Sequence, residues 1–561
     1  MAAIRSDRRY RIPVLTEVFM RVSFDPEKYS YGSRRNVVFA KKGMCSSTSP
    51  IASQVGLEIL KSGGNAVDAA VAMAVTLPLT EPTSNGLGSD CFALIWSAKD
   101  HRLYGLNASG YSPKALNADL VRKAGYTEMP HEGWFPVMVP GAPAGWAAAR
   151  RRFGTKTMSE LMAPAIAYAR EGFCIPVNVY KMWKTELERF RPLAEKDPAL
   201  FGPWMDYFSK NGAMYEPGET FINPDYAATL EKLAETDCES YYRGEIMKKI
   251  VGFSEATGGY FTEEDFESYQ PQWVEPISTE YRGYTVCEIP PNGHGITVLM
   301  ALNILNGMEL NGPRDSADTW HKVIEALKLA FIDAKTYVAD PRSMRTKVED
   351  MLSERYASLR RAMIGKRALY PEAGDPSCGG TVYFAAADRE GNMVSWIQSN
   401  YMEFGSGIVV PGTAITLQNR GANFSLDPES DNCLAGGKKS YHTIIPGFLM
   451  KDGEPVGPFG VMGGFMQPQG HVQVMVNTID YQMNPQEALD APRFQWVGGK
   501  RIQLEREAPA ETGRDLQERG HEVSIVNTNL SMGRGQIIWR LDDGRYIGGT
   551  EPRADGTIAA W

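Results

Sequence analysis

The chain has 561 residues, 43% hydrophobic and 22% charged, with 11 Trp, 25 Tyr and 22 Phe. That is too apolar and too aromatic for a disordered chain, and long enough to bury a large core. Against 67 Asp and Glu stand 59 Lys and Arg, a net charge of −8 with no basic tract beyond Arg150-Arg151-Arg152, which argues against nucleic acid and anionic membrane as partners.

Residues 1–36 are charged and irregular and read as an N-terminal arm. VVFA (37–40) suits a strand. Ala52, Val55, Gly56, Ile59 and Leu60 recur at helical spacing, Gly63 and Gly64 stop that helix, and Asn65 caps a second one running to about Leu77. The second helix is nearly all Ala, Val and Met, so most of its sides should be buried. GLGS (86–89) turns the chain into a buried strand, CFALIW (91–96). From about 140 to 370 the pattern is mostly helical, clearest at LMAPAIAYAR (161–170) and VIEALKLAFIDAK (323–335), and interrupted by a strand, YTVCEI (284–289). KRALYPEAGDPSCGG (366–380) reads as an exposed linker.

After residue 380 strands dominate. TVYFAAA (381–387) and MVSWIQS (393–399) flank the turn DREGN (388–392) and form a hairpin. Tyr383 and Trp396 are expected to pack on each other across it. Further strands are expected at ITLQ (415–418), TIIPGFLM (443–450) and FGVM (459–462). Gly463 and Gly464 then precede a helix near Gln469–Ile479, with Val472, Met475, Val476 and Ile479 on its face. Helices first and sheets later, with strands at both ends, fit a layered α/β or α+β domain. The seven scattered cysteines contain no C-x-x-C pair, which disfavours a disulfide framework or zinc site. His294 and His471 lie near glycines in expected turns and show no metal-ligand spacing, so no metal is expected. No apolar run reaches the ~18 residues of a membrane span, and no signal-peptide core is present. The expected location is the cytoplasm.

A Gly-rich linker running directly into Thr381 suits one particular chemistry, an ordinary linker before an ordinary strand being the plainer reading. Cleavage of the Gly380–Thr381 bond would leave a threonine whose hydroxyl is a nucleophile and whose α-amine, with an ordinary pKa of about 7.7–8.0, is its base. Two glycines between a strand and a helix N-terminus, Gly463 and Gly464, can offer backbone N–H groups as an oxyanion hole, worth about 3–4 kcal/mol per donor. Cleavage after Ser377, with Cys378 as nucleophile, is the alternative.

The segments PIASQVGLEILKSGGNAVDAAVA (50–72), EPTSNGLGSD (81–90), PGAPAGW (140–146), YRGYTVCEIPPNGHG (281–295), GTVYFAAADREGNMVSWIQSN (380–400), FGSGIVV (404–410) and VMGGFMQPQ (461–469) resemble the gamma-glutamyltransferase family of N-terminal-nucleophile hydrolases. The resemblance implies a four-layer αββα sandwich. It implies a proenzyme cut before Thr381 into a large subunit (37–380 after the arm) and a small subunit (381–561), together one composite domain. It implies transfer of an acyl group from a small-molecule amide to water or an amine, with no cofactor. A dimer of the paired subunits is left open.

Carried over position by position, Thr381 matches the nucleophile, Ser399 stands where a second Thr bonds it, and Gly463 and Gly464 match the oxyanion pair. Asn400 lies one place from a substrate-binding Asn. The glutamyl pocket departs from the pattern. Ser109 replaces the Arg that holds the α-carboxylate, Asn423 replaces the Asp that holds the α-amine, and His442 and Thr443 replace a Ser-Ser pair. A neutral hydroxyl does not replace a bidentate guanidinium. Arg420 and His442 are the available donors, and a glutaryl or oxamate-like acyl group with one carboxylate would suit them. Arg420 in a surface salt bridge is the plainer reading of that residue. A homologue that binds a ligand without being processed is the alternative of another class.

Overall fold

The computed structural model describes residues 35–371 and 381–561, so the expected arm up to residue 34, Cys378 and Gly380 lie outside the described residues. Two seven-stranded antiparallel sheets form the centre. The first runs, in spatial order, Thr557–Ala560, Gly43–Ser47, Val382–Asp388, Met393–Ser399, Asp90–Ser97, Arg102–Ala108 and Gln272–Val274. The second runs Val38–Ala40, Tyr546–Thr550, Arg534–Arg540, Glu454–Met462, Gly447–Lys451, Tyr284–Glu288 and Ile277–Tyr281. The sheets pack face to face through Val382–Asp388 and Met393–Ser399 against Glu454–Met462 and Arg534–Arg540. Pro50–Lys61, Ala66–Thr80 and Ala142–Phe153 cover the first sheet; Gly295–Asn306 and Met466–Ile479 cover the second, with Ala317–Tyr337 packed against both of those helices. This is the four-layer αββα sandwich. Each sheet draws strands from both sides of residue 380.

Burial on both faces explains the strand sequences. Every residue of Val382–Asp388 and Met393–Ser399 is buried, and neither strand alternates polar with apolar. Alternation of side-chain direction still sorts them. Trp396 pairs with Phe384, not Tyr383, and those two rings stack at 6.1 Å beneath the first helix layer. Tyr383 pairs with Ile397 and points the other way, over Gly460 of the facing sheet, with its hydroxyl 2.8 Å from Ser395 Oγ. The expected Tyr383–Trp396 packing fails by one residue of parity.

The helix Ala66–Thr80 begins with the expected Asn65 cap, completed by Asp68 as a capping box, and is buried throughout. It passes through Pro78 to Thr80, beyond the expected stop. Two expected strands are shorter: of 415–418 the strand proper is Ile415–Thr416, with Leu417 in a single bridge to Gly88, and the strand expected from 443 starts at Gly447. Pro446 has no N–H for a ladder, and the amides of Ile444 and Ile445 bond the His442 ring and the Gln467 side chain instead. His294 sits in the expected turn, at the start of Gly295–Asn306, whereas His471 lies inside the helix Met466–Ile479. No helix among the described residues is long and apolar enough to cross a membrane.

Candidate active site

Thr381 enters the first sheet one residue before Val382, and Ser399 ends the partner strand. The hairpin register therefore sets them side by side, with Thr381 Oγ1 3.0 Å from Ser399 Oγ. Ser399 Oγ also accepts the Tyr401 N–H at 2.7 Å, which orients the serine hydroxyl. On the facing sheet, Glu454–Met462 ends at Gly463 and Gly464 and the helix Met466–Ile479 begins. Both glycines hold positive φ, +136° and +57°, which side chains other than glycine adopt at a cost. Their carbonyls accept the N–H groups of Met466 and Gln467 at 2.9 and 3.2 Å. Gln467, in the first turn of that helix, reaches Thr381: its Nε2 is 3.5 Å from Thr381 Oγ1, and its Oε1 accepts the Ile445 N–H at 3.0 Å. The glycine turn thus lies at the Thr381 end of the layer between the sheets.

A buried charged cluster adjoins Tyr401. Arg420 is fully buried, which removes the surface salt-bridge reading. Its guanidinium lies 4.6 Å over the Tyr401 ring, and its Nη1 donates to Thr443 Oγ1 at 2.5 Å. Nε is 3.9 Å from Asp90 Oδ2, beyond hydrogen-bond range; Nε and Nη2 have no hydrogen-bond partner among the described residues. Asp90 accepts from the Gly110 N–H at 3.2 Å and from His442 Nε2 at 3.1 Å. Burial pushes its carboxyl up to about 7, with Arg420 the strongest influence the other way. Burial and the Arg420 charge hold His442 well below the usual imidazole range, so it is a neutral donor committed to Asp90.

The remaining predicted residues are held by the scaffold. Ser109 Oγ donates to Asn107 Oδ1 at 2.7 Å. Asn400 accepts from Ser89 Oγ at 2.8 Å and donates to Thr416 Oγ1 at 3.1 Å. Asn423, half-buried at the end of a short 3-10 turn, donates to the Arg420 carbonyl at 3.4 Å. Near Ser109 stands a second buried cation: Lys439 Nζ donates to Asn107 Oδ1 at 3.1 Å and Gln272 Oε1 at 2.9 Å, and burial pulls it down to about 7. Asp90, Tyr401, Lys439 and Gln467 were not among the residues expected from the sequence. Asp90 and Gln467 lie inside the motifs EPTSNGLGSD and VMGGFMQPQ, and Tyr401 follows Ser399 by two, which is the signal that was there to read. One further group, His321 and Glu325 from one helix and the sequence-distant His521, brings possible metal-ligand atoms within 4.8 Å of one another.

Comparison with known proteins identifies the family. The gamma-glutamyltranspeptidase family model matches residues 52–561. The glutathione hydrolase-like YwrD proenzyme of Bacillus subtilis is 34% identical over 92% of this chain and 98% of its own length. The oxamate amidohydrolase proenzyme of Klebsiella pneumoniae is 32% identical over the same shares, 92% and 98%. The crystal structure of a cephalosporin acylase from Bacillus halodurans superposes with a TM-score of 0.93 at 52% identity, covering 96% of this chain and 99% of that one. The chain belongs to the gamma-glutamyltranspeptidase family of N-terminal-nucleophile hydrolases.

Proposed function

We propose that the chain is a self-processing amidohydrolase, cut between Gly380 and Thr381, that removes an acyl group bearing a single anionic end from an amide. The large subunit is then 37–380 after the arm, and the small one 381–561. The observation that carries this reading is Thr381 Oγ1 at 3.0 Å from Ser399 Oγ at the mouth of the hairpin, facing the glycine turn. Once freed, the Thr381 α-amine takes the hydroxyl proton as Oγ attacks the amide carbon. The Gly463 and Gly464 N–H groups stabilise the oxyanion. The amine gives the proton to the departing nitrogen, leaving an acyl ester on Thr381, and water activated by the same amine releases the acid. Ser399 and Gln467 orient the hydroxyl.

The acyl pocket is read from its charges. Arg420 brings two buried donors without partners, and such donors are costly unless a ligand meets them. A glutaryl or oxamate-like carboxylate meets that need. A γ-glutamyl group also carries an ammonium, which would want a carboxylate; Asn423 is neutral, and Asp90 is committed to His442 and Gly110 and sits close to Arg420. Names among the relatives support both acyl classes, and the substitutions at Ser109 and Asn423 favour the acylase. The described cysteines form no disulfide, in keeping with a reducing cytoplasm.

A denaturing gel of purified protein tests processing: two bands of about 42 and 20 kDa, at roughly 110 Da per residue, are expected. A single band that persists, from wild type as from Thr381→Ala, would instead make this a non-catalytic binding homologue. A panel of glutaryl, γ-glutamyl and butyryl anilides, with Thr381→Ala as blank, tests the substrate; γ-glutamyl anilide turned over far better than glutaryl would refute the acylase reading.

A further inference from the structure

The helix Ala317–Tyr337 places His321, Glu325 and Lys328 at i, i+4 and i+7, on one face, and all three are buried. Each holds the backbone of one short segment. His321 Nε2 lies 2.9 Å from the Gly365 carbonyl. Glu325 Oε2 accepts the Leu369 N–H at 3.1 Å, and Lys328 Nζ donates to the Leu369 carbonyl at 3.2 Å. Lys328 and Glu325 pair at 2.8 Å. From the other side come residues beyond Thr381. His521 Nε2 is 2.8 Å from His321 Nδ1, the Arg519 carbonyl accepts the Ala368 N–H at 2.8 Å, and the Glu518 carbonyl accepts Arg367 Nη1 at 3.1 Å.

His321, Glu325 and His521 have the makings of a metal site, but its charge is already balanced. The Lys328 ammonium sits on Glu325 Oε1, the same oxygen that lies 3.7 Å from His521 Nε2. A divalent cation there would bury charge with no counterpart. Burial also keeps both imidazoles neutral, His521 down to about 3. The side chains are instead spent on the peptide backbone, and that backbone leads to the scissile bond.

We infer that His321, Glu325, Lys328 and His521 form a clamp that positions the chain ahead of Gly380–Thr381 for self-cleavage and afterwards holds the end of the large piece on the small one. It rests on the cleavage proposed above. Leu369 is twelve residues ahead of Thr381; without the clamp the next anchored backbone is that of the helix Glu354–Arg361, further back in the chain. The longer tether alone slows cleavage about twofold, and loss of direction adds to that.

The test is Glu325→Leu/Lys328→Met, which removes both charges together and strands neither, alongside His521→Phe and a destabilised control remote from the clamp, Leu230→Ala. Cleavage is timed by gel in cell-free synthesis. The clamp variants should cleave three- to tenfold more slowly than wild type, while kcat/KM per cleaved molecule on the best anilide stays within twofold. Wild-type cleavage rates in folded clamp variants would overturn the clamp, as would a slowing no greater than that of Leu230→Ala at equal loss of Tm. A wild-type chain that never cleaves overturns the clamp and the proposed processing together, and the wild-type lane alone reports it.

Discussion

Replacing Arg420 by Leu isolates the charge on which the proposed acyl specificity rests. The guanidinium is fully buried, its Nη1 bonds Thr443, and its Nε and Nη2 have no partner among the described residues. A carboxylate that takes those donors gains charge-assisted bonds of about 1.5–3 kcal/mol each before its own desolvation is subtracted. A net loss of about 3 kcal/mol, or roughly 150-fold in kcat/KM, is expected for glutaryl anilide. Butyryl anilide has no carboxylate and should lose less than about fivefold, the share due to repacking around the missing side chain. The variant should still fold. Arg420 is the strongest influence holding the Asp90 carboxyl down, so its removal lifts Asp90 above about 7 and the carboxyl takes a proton at neutral pH rather than standing as a stranded charge. The assay is kcat/KM on both anilides with processed enzyme, scored per mole of cleaved chain. Equal losses on the two substrates would refute the reasoning, because they would make Arg420 a packing residue with no part in acyl choice.

Other consequences are equally direct. Asp90 keeps its proton to about pH 7 in the folded chain but only to its ordinary 3.8 unfolded, so its contribution favours folding most below about pH 4 and falls away as pH rises towards 7. Asp90→Asn should flatten denaturant stability across that window, and an unchanged slope would count against the assignment. A Cβ on Gly460 would lie 2.4 Å from the Tyr383 ring, so Gly460→Ala should cost about 1–3 kcal/mol, seen as a lower urea midpoint at constant m. Trp396→Ala, which empties a buried site stacked on Phe384, should cost about 3–5 kcal/mol, and a loss under 1 would contradict the register described for the hairpin.

Local rules carried a good deal of the fold. The Asn65 cap, the Ala-rich buried helix and the strands on either side of DREGN need only neighbouring residues for their definition, and they appear where the spacing places them. The expectations that failed concern direction and extent. Tyr383 and Trp396 differ by one step of parity, which only the strand register resolves. The run 443–446 looks like strand by composition, yet its amides are drawn to His442 and Gln467 once those side chains are in place.

The candidate site divides in the same way. The side-by-side placing of Thr381 and Ser399 and the glycine turn are short-range features, set by a hairpin register and a strand-to-helix turn. The proposed acyl pocket is long-range. Asp90, Arg420, His442 and Lys439 are up to some hundreds of residues apart in the chain, and their protonation depends on burial that no window of sequence contains. The clamp of His321, Glu325, Lys328 and His521 is likewise a product of packing across residue 380. By itself the sequence determined the family and the central hairpin, since motifs and turns are runs of neighbouring residues. Only the tertiary structure decided which charges stand together, since Coulomb interactions depend on distance and dielectric rather than on order along the chain.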